Sequence, residues 1–164
     1  MASDYILEIE GIKGESRDHK HKNCVELEHW SVGCSNDGSA AHAGGAGAGK
    51  VHFQDFHCSA PLDCAGPELL LACAGGKHIK KATLYVRKQG EEQQEYLTIT
   101  LEDFIVSSYQ PGGSGGIHHS APPGHQFSFN FSKIKYEYKP QKDDGSLDAA
   151  KVAGWDVKAN KKYG

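Results

Sequence analysis

Residues 96–110 alternate apolar and polar side chains over a span that would reach about 50 Å as a straight strand at about 3.3 Å per residue. A compact domain of this length has a radius of gyration near 15 Å. A straight strand would protrude, so the chain must bend. Residues 127–138 indicate how. Phe127, Phe129 and Phe131 occupy odd positions and Ile134, Tyr136 and Tyr138 even ones, so the apolar phase slips near Ser132. A bulge there lets one strand turn and serve two sheets. The expected fold class is mainly β, a small closed or nearly closed β-barrel of about seven strands with one short α-helix packed on its outside.

The remaining strands follow the same pattern. Tyr5, Leu7 and Ile9 alternate with Glu8 and Glu10 and stop at Gly11. Residues 14–22 are charged and hold no apolar side chain, which predicts a solvated loop. Val25 and Leu27 resume the alternation, and the phase shifts at Trp30 and Val32, suggesting that the strand turns. At the turn Trp30 serves as packing rather than as a ligand platform. Val51 and Phe53 against Phe56 and Cys58 repeat the slip. Residues 83–87 and 96–110 form a hairpin around Gly90, and Trp155 and Val157 end the set.

One helix is expected over residues 67–76, about 15 Å long at 1.5 Å per residue. Pro67 suits its first position, Glu68 meets the positive end of the dipole, and Gly75-Gly76 can adopt the left-handed cap. Leu69, Leu70, Leu71 and Cys73 cover a broad arc, so the helix is expected to plug against the sheet.

At 164 residues the chain suits one domain, residues 1–164, that hides roughly 70% of its unfolded surface. A net charge of −3 offers no field for nucleic acid. No stretch of about 18 apolar residues predicts membrane insertion, and the first ten residues lack signal-peptide character. Synthesis in the cytoplasm is expected. Cys24, Cys34, Cys58, Cys64 and Cys73 are odd in number without Cys-x-x-Cys spacing, which fits free thiols, and Cys24, Cys34 and Cys58 fall at strand-like positions where a thiol acts mainly as a small apolar filler.

Glycine makes up 20 residues and clusters at residues 38–49 and 112–116. The first cluster, Gly44-Gly45-Ala46-Gly47-Ala48-Gly49-Lys50, has phosphate-loop spacing, with Val51 where a hydroxyl should hold Mg²⁺. Upstream residues are small and polar rather than strand-like, and Val51 and Phe53 leave with a period near two. Helix dipole, converging N–H groups and metal ligand are therefore all missing, and the stretch is a long glycine loop between strands.

Other chemistry is equally unsupported. His118-His119 lie adjacent and point to opposite faces of an extended chain, and His19-x-His21 has only Asp18 nearby, so neither predicts a metal. His118, His119 and His125 form a cluster that could change charge near pH 6.5. Ser107-Ser108 with His118 lacks the Gly-x-Ser-x-Gly turn of a hydrolase. No catalytic residue, cofactor or metal is assigned.

Taken in order, Ile9-Glu10-Gly11-Ile12-Lys13-Gly14-Glu15-Ser16, Trp30-Ser31, Gly44 to Lys50, Ala72-Cys73, Gly75-Gly76-Lys77-His78, Glu95-Tyr96-Leu97, Val106-Ser107-Ser108, Gly112-Gly113-Ser114-Gly115-Gly116, Asn130-Phe131 and Tyr138-Lys139-Pro140-Gln141-Lys142 resemble Hcp, the haemolysin-coregulated protein family of type VI secretion. The resemblance spans nearly the whole chain. It implies a structural tube subunit, not an enzyme, that forms homo-hexameric rings. It implies too that the rings stack, meet sheath and spike, carry effectors in the lumen, and are secreted without a signal peptide. It assigns Gly38, Gly44, Gly45, Ala46, Gly47, Ala48, Gly49 and Lys50 to a ring-stacking loop. The alternative is a monomeric small-ligand-binding β-barrel, which predicts an apolar pocket inside the barrel.

Overall fold

The computed structural model describes residues 2–37, 50–90, 92–116 and 122–164. Among them are eleven strands and one helix. The strand number exceeds the expected seven because two ribbons divide where they change partner and two short strands, Cys34–Ser35 and Lys161–Lys162, lie where none was expected.

Strands β1 (Ser3–Ile9) and β2 (Val25–Leu27) pair antiparallel, with Leu7 opposite Val25. One residue beyond β2, strand β3 (His29–Ser31) pairs with β6 (Phe56–Pro61) instead. Glu28 makes the transfer, its N–H donating to Ser59 O at 2.8 Å. This is the turn expected at Trp30. Strands β4 (Cys34–Ser35) and β5 (His52–Phe53) form a separate two-stranded sheet.

After α1 (Ala65–Gly75) come β7 (His78–Lys88), β8 (Glu95–Gly112) and β9 (Gly124–Tyr138). The ladder runs β2-β1-β7-β8-β9-β6-β3. Because β2 and β3 are one residue apart, its two ends meet and the sheet wraps round on itself. Strand β10 (Lys151–Asp156) pairs with the second half of β9, and β11 (Lys161–Lys162) pairs with β10.

The interior is aromatic. Phe56, Phe104, Phe127 and Phe129 are completely buried with Leu84, Ile99 and Leu101, and the Phe104 and Phe129 rings lie 4.6 Å apart. Each such side chain contributes about 2 to 3 kcal/mol by leaving water. Trp30 stacks on Phe56 and meets Tyr5 edge-on, packing the turn as expected.

The phase slip near Ser132 is real, yet β9 has no bulge there. Glu102 faces Lys133 and Phe104 faces Phe131 with no residue gained. Both strands change phase together, because Asp103 takes a left-handed backbone, φ 48°. The register shift in this pair lies instead between Val106 and Ser108. Around Ser132, β9 changes neighbour, from β6 up to Phe129 to β10 from Lys133 onward.

Helix α1 starts two residues before the expected Pro67 and ends on Gly76, φ 61°, whose N–H reaches back to the last turn. Leu69 and Ala72 are buried, whereas Leu70 and Leu71 are 53% and 69% exposed. Three successive leucines cannot share a face at 3.6 residues per turn, so the broad plug expected from them is corrected to a narrow one.

Residues 14–22 form the expected loop, with Glu15, Arg17, His19, Lys20 and Lys22 exposed, but polar contacts also pin it to the barrel as a strap. Ser16 is buried, the Asp18 carboxylate accepts from Arg87 Nη2 at 2.7 Å, and His21 stacks on Tyr85 at 4.1 Å while pairing with Glu95.

Candidate assembly surfaces

The β4–β5 pair places the base of the glycine loop. Cys34 faces Phe53 and Ser35 faces His52, so the described residues on either side of that stretch are held together. Gly38, Gly44, Gly45, Ala46, Gly47, Ala48 and Gly49 lie outside the described residues. Lys50 is described and exposed, and a strand rather than a helix follows it, which removes the dipole a phosphate loop needs.

Four segments make one polar face. His29 pairs with Ser59, Ser59 with Gln126 and Gln126 with Gln110; beside this row run Ser31, His57, Ser128 and Ser108. Cross-strand partners project to one side. With histidine neutral, neither row carries charge. A depression of about 470 Å³ is lined by His29, His57, Ser59, Ser108, Gln110 and Gln126. Ser107, at the register shift, bonds the carboxylate of Asp55 at 2.7 Å and Ser128 Oγ at 2.8 Å. The same carboxylate accepts from Asn130 at 2.9 Å. These serines tie strands together; His118 and His119 lie outside the described residues.

This four-strand ladder has two open edges among the described residues. β3 pairs only with β6. Beyond Ile105, β8 has left β7 and pairs only with β9. An unpaired edge presents free N–H and C=O groups to another chain.

Two apolar surfaces flank those edges. Leu70 and Leu71 stand on the outside of α1, which packs along β8. A groove of about 740 Å³ opens between the β4–β5 pair and the β9–β10 wing, lined by Val32, Cys34, Val51, Phe53, Tyr136 and Trp155 among others. It lies at the rim, not in the barrel interior that the ligand-binding alternative requires.

Sequence reasoning missed two buried polar groups. Arg87, 5% exposed, holds Asp18 and Asp4, and these carboxylates keep its guanidinium pKa high. Its hydrogen bond pulls the Asp18 carboxyl down to about 2. His125, expected in a loop cluster with His118 and His119, is instead buried in β9. Its Nδ1 lies 2.9 Å from the Tyr109 hydroxyl and its Nε2 3.7 Å from Asp63. Burial lowers its pKa. An alternating strand leaves the facing of a lone histidine open until its phase is known.

All five cysteines are free. Cys24 and Cys58 are buried fillers, and burial raises the Cys24 thiol to about 11. Cys34, expected to fill the interior as well, is exposed at the groove.

Comparison with known proteins bears on these surfaces. A family model, T6SS_HCP, described as type VI secretion system effector, Hcp, matches residues 6–138. Protein hcp1 of Pseudomonas aeruginosa is 41% identical over 162 residues, covering 98% of each chain. The crystal structure of Hcp1 from Salmonella typhimurium is similar with a TM-score of 0.80 and 37% identity, covering 99% of this chain and 100% of that one. The structure described as a type six secretion system protein reaches a TM-score of 0.90 at 26% identity, with 99% and 100% covered.

Proposed function

The chain belongs to the Hcp family of type VI secretion proteins and is a tube subunit, and on that premise we propose that six copies close into a ring through the two open ladder edges. The observation that carries this reading is their position at opposite sides of one ladder, β3-β6-β9-β8. Residues 106–112 of one copy would pair with β3 of the next. Such a contact is head-to-tail, and repeated with rotation it closes.

Closure would make each polar row continuous. His29, Ser59, Gln126 and Gln110 would circle the lumen in one band and Ser31, His57 and Ser108 in another, with Ser128 buried beneath Ser107 and Ser108. Uncharged hydrogen-bonding groups would let effectors of either charge ride inside. Stacking of rings is assigned to the loop containing Gly38, Gly44, Gly45, Ala46, Gly47, Ala48, Gly49 and Lys50, whose small residues allow close backbone approach. The sheath outside, the spike ahead and effectors within are the proposed partners. The subunit would be made in the cytoplasm and expelled on sheath contraction. This role calls for no catalytic residue.

Light scattering on a sizing column tests the ring. The expected mass is about six times 17.7 kDa, and micrographs should show rings with a central hole. A monomer persisting at high concentration would overturn the proposal and favour the small-ligand barrel. For the loop, Gly47→Trp should shorten stacked filaments at an unchanged thermal midpoint; unchanged filaments would remove its stacking role.

A further inference from the structure

We propose that Leu70 and Leu71 of α1 seat in the apolar rim groove of the next copy, against Val32, Val51 and Phe53. This rests on the ring reading above and adds the contact that locks one subunit to the next.

Placement carries the argument. Helix α1 packs along β8, where the Cβ of an alanine at Gly66 would come within 2.7 Å of the Tyr109 hydroxyl. Tyr109 faces Phe127 across the strands, so α1 lies on the apolar side of the ladder, opposite the polar rows. The groove begins at Val32, just past β3, and Val32 and Phe53 pack against that same apolar core. Helix α1, which carries the leucines, and the groove therefore share one side of the ladder, α1 along β8 and the groove just past β3. If the edges pair with the polar rows aligned, leucines and groove are brought together.

The surfaces also match chemically. Leu70 and Leu71 are 53% and 69% exposed, and a groove of about 740 Å³ has room for both. Glu68 lies three residues before Leu71 on the same helical face, and Lys50 stands beside Val51, so opposite charges border the contact. An apolar anchor in a pocket with a charged rim is the arrangement that concentrates binding energy.

Cys34 lines the groove and supplies the test. In a background with Cys64→Ser and Cys73→Ser, Leu70→Cys and Leu71→Cys are each oxidised with copper phenanthroline. At least one should give a ladder of covalent oligomers on a non-reducing gel, and the ladder should vanish with Cys34→Ser. Separately, Leu70→Lys with Leu71→Lys should raise the concentration for half-assembly by about a hundredfold while the far-ultraviolet spectrum stays native. Rings that form normally yet give no ladder from either cysteine, or assemble normally with both lysines, would overturn this contact and leave the ring intact. A wild-type protein that stays monomeric would overturn the ring itself.

Discussion

Ser132 Oγ donates to Asp103 Oδ2 at 3.1 Å, at the position where β8 and β9 change phase together. Asp103 also accepts from Lys158 at 2.8 Å and lies 3.0 Å from His78 Nδ1, and these three partners hold its carboxyl down to about 2. Its φ of 48° is a conformation that asparagine tolerates and alanine resists by about 1 kcal/mol. Asp103→Ala should therefore unfold about 4 °C below wild type, and Asp103→Asn should lie between the two. Equal midpoints for the two variants by calorimetry would remove backbone conformation as the reason for an aspartate here.

The strap depends on Arg87 and Asp18. The Asp18 carboxyl lies near 2 in the fold against 3.8 in the open chain. A lowered carboxyl stabilises above its unfolded pKa, and that stability is lost as pH falls through the folded value. Between pH 4 and pH 2 the wild type should lose at most about 2 kcal/mol from this group, a loss absent in Asp18→Asn. At neutral pH the same variant leaves Arg87 buried with Asp4 alone, costing about 3 kcal/mol. Hydrogen exchange at the Ser16 amide, which bonds Cys24 O at 3.0 Å, should quicken in step. Exchange as slow as wild type would mean the strap holds without the ion pair.

Much of this architecture was legible because alternation reports burial directly. The long strands, their bends, the packing of Trp30 and the Gly76 cap all follow from local pattern. The strap was not legible, since Ser16, Asp18 and His21 look like solvent-facing residues until Arg87 comes from 69 positions away to meet Asp18. His125 was misplaced for a similar reason. Its neighbours Gly124 and Gln126 suggest a loop, and only pairing with β6 and β8 turns the ring inward. The open edges were foreseeable as a class, but which residues form them depends on where β7 ends.

Gly14 closes the neck of the strap. An added Cβ would lie 2.4 Å from Cys24 O, a backbone atom with little room to yield. Gly14→Ala should cost about 2 to 3 kcal/mol through forced separation of the two chains. Gly11 has φ 84° with open space around it, so Gly11→Ala should cost about 1 kcal/mol from conformation alone. Urea midpoints compare the two directly. A milder effect at Gly14 than at Gly11 would contradict the close approach.

His125 should make the subunit weaker in mild acid. Its side chain is completely buried, its Nε2 has no hydrogen-bond partner, and burial lowers its pKa against the weaker opposing pull of Asp63. The groups facing it are Tyr109 from β8 and Asp63 from the segment before α1, with Glu15 close enough to act on Asp63. A base with a lowered folded pKa stabilises fully above its unfolded value near 6.5 and loses that contribution as pH drops below it. The thermal midpoint of wild type should therefore fall more steeply from pH 7.5 to 5.5 than that of His125→Gln, which keeps an acceptor for Tyr109. Asp63 carries the opposite sign, because burial raises its carboxyl, so Asp63→Asn should steepen the wild-type fall by removing the charge that favours protonated His125. Parallel pH profiles for wild type and His125→Gln would show that the ring accepts its proton without cost to the fold.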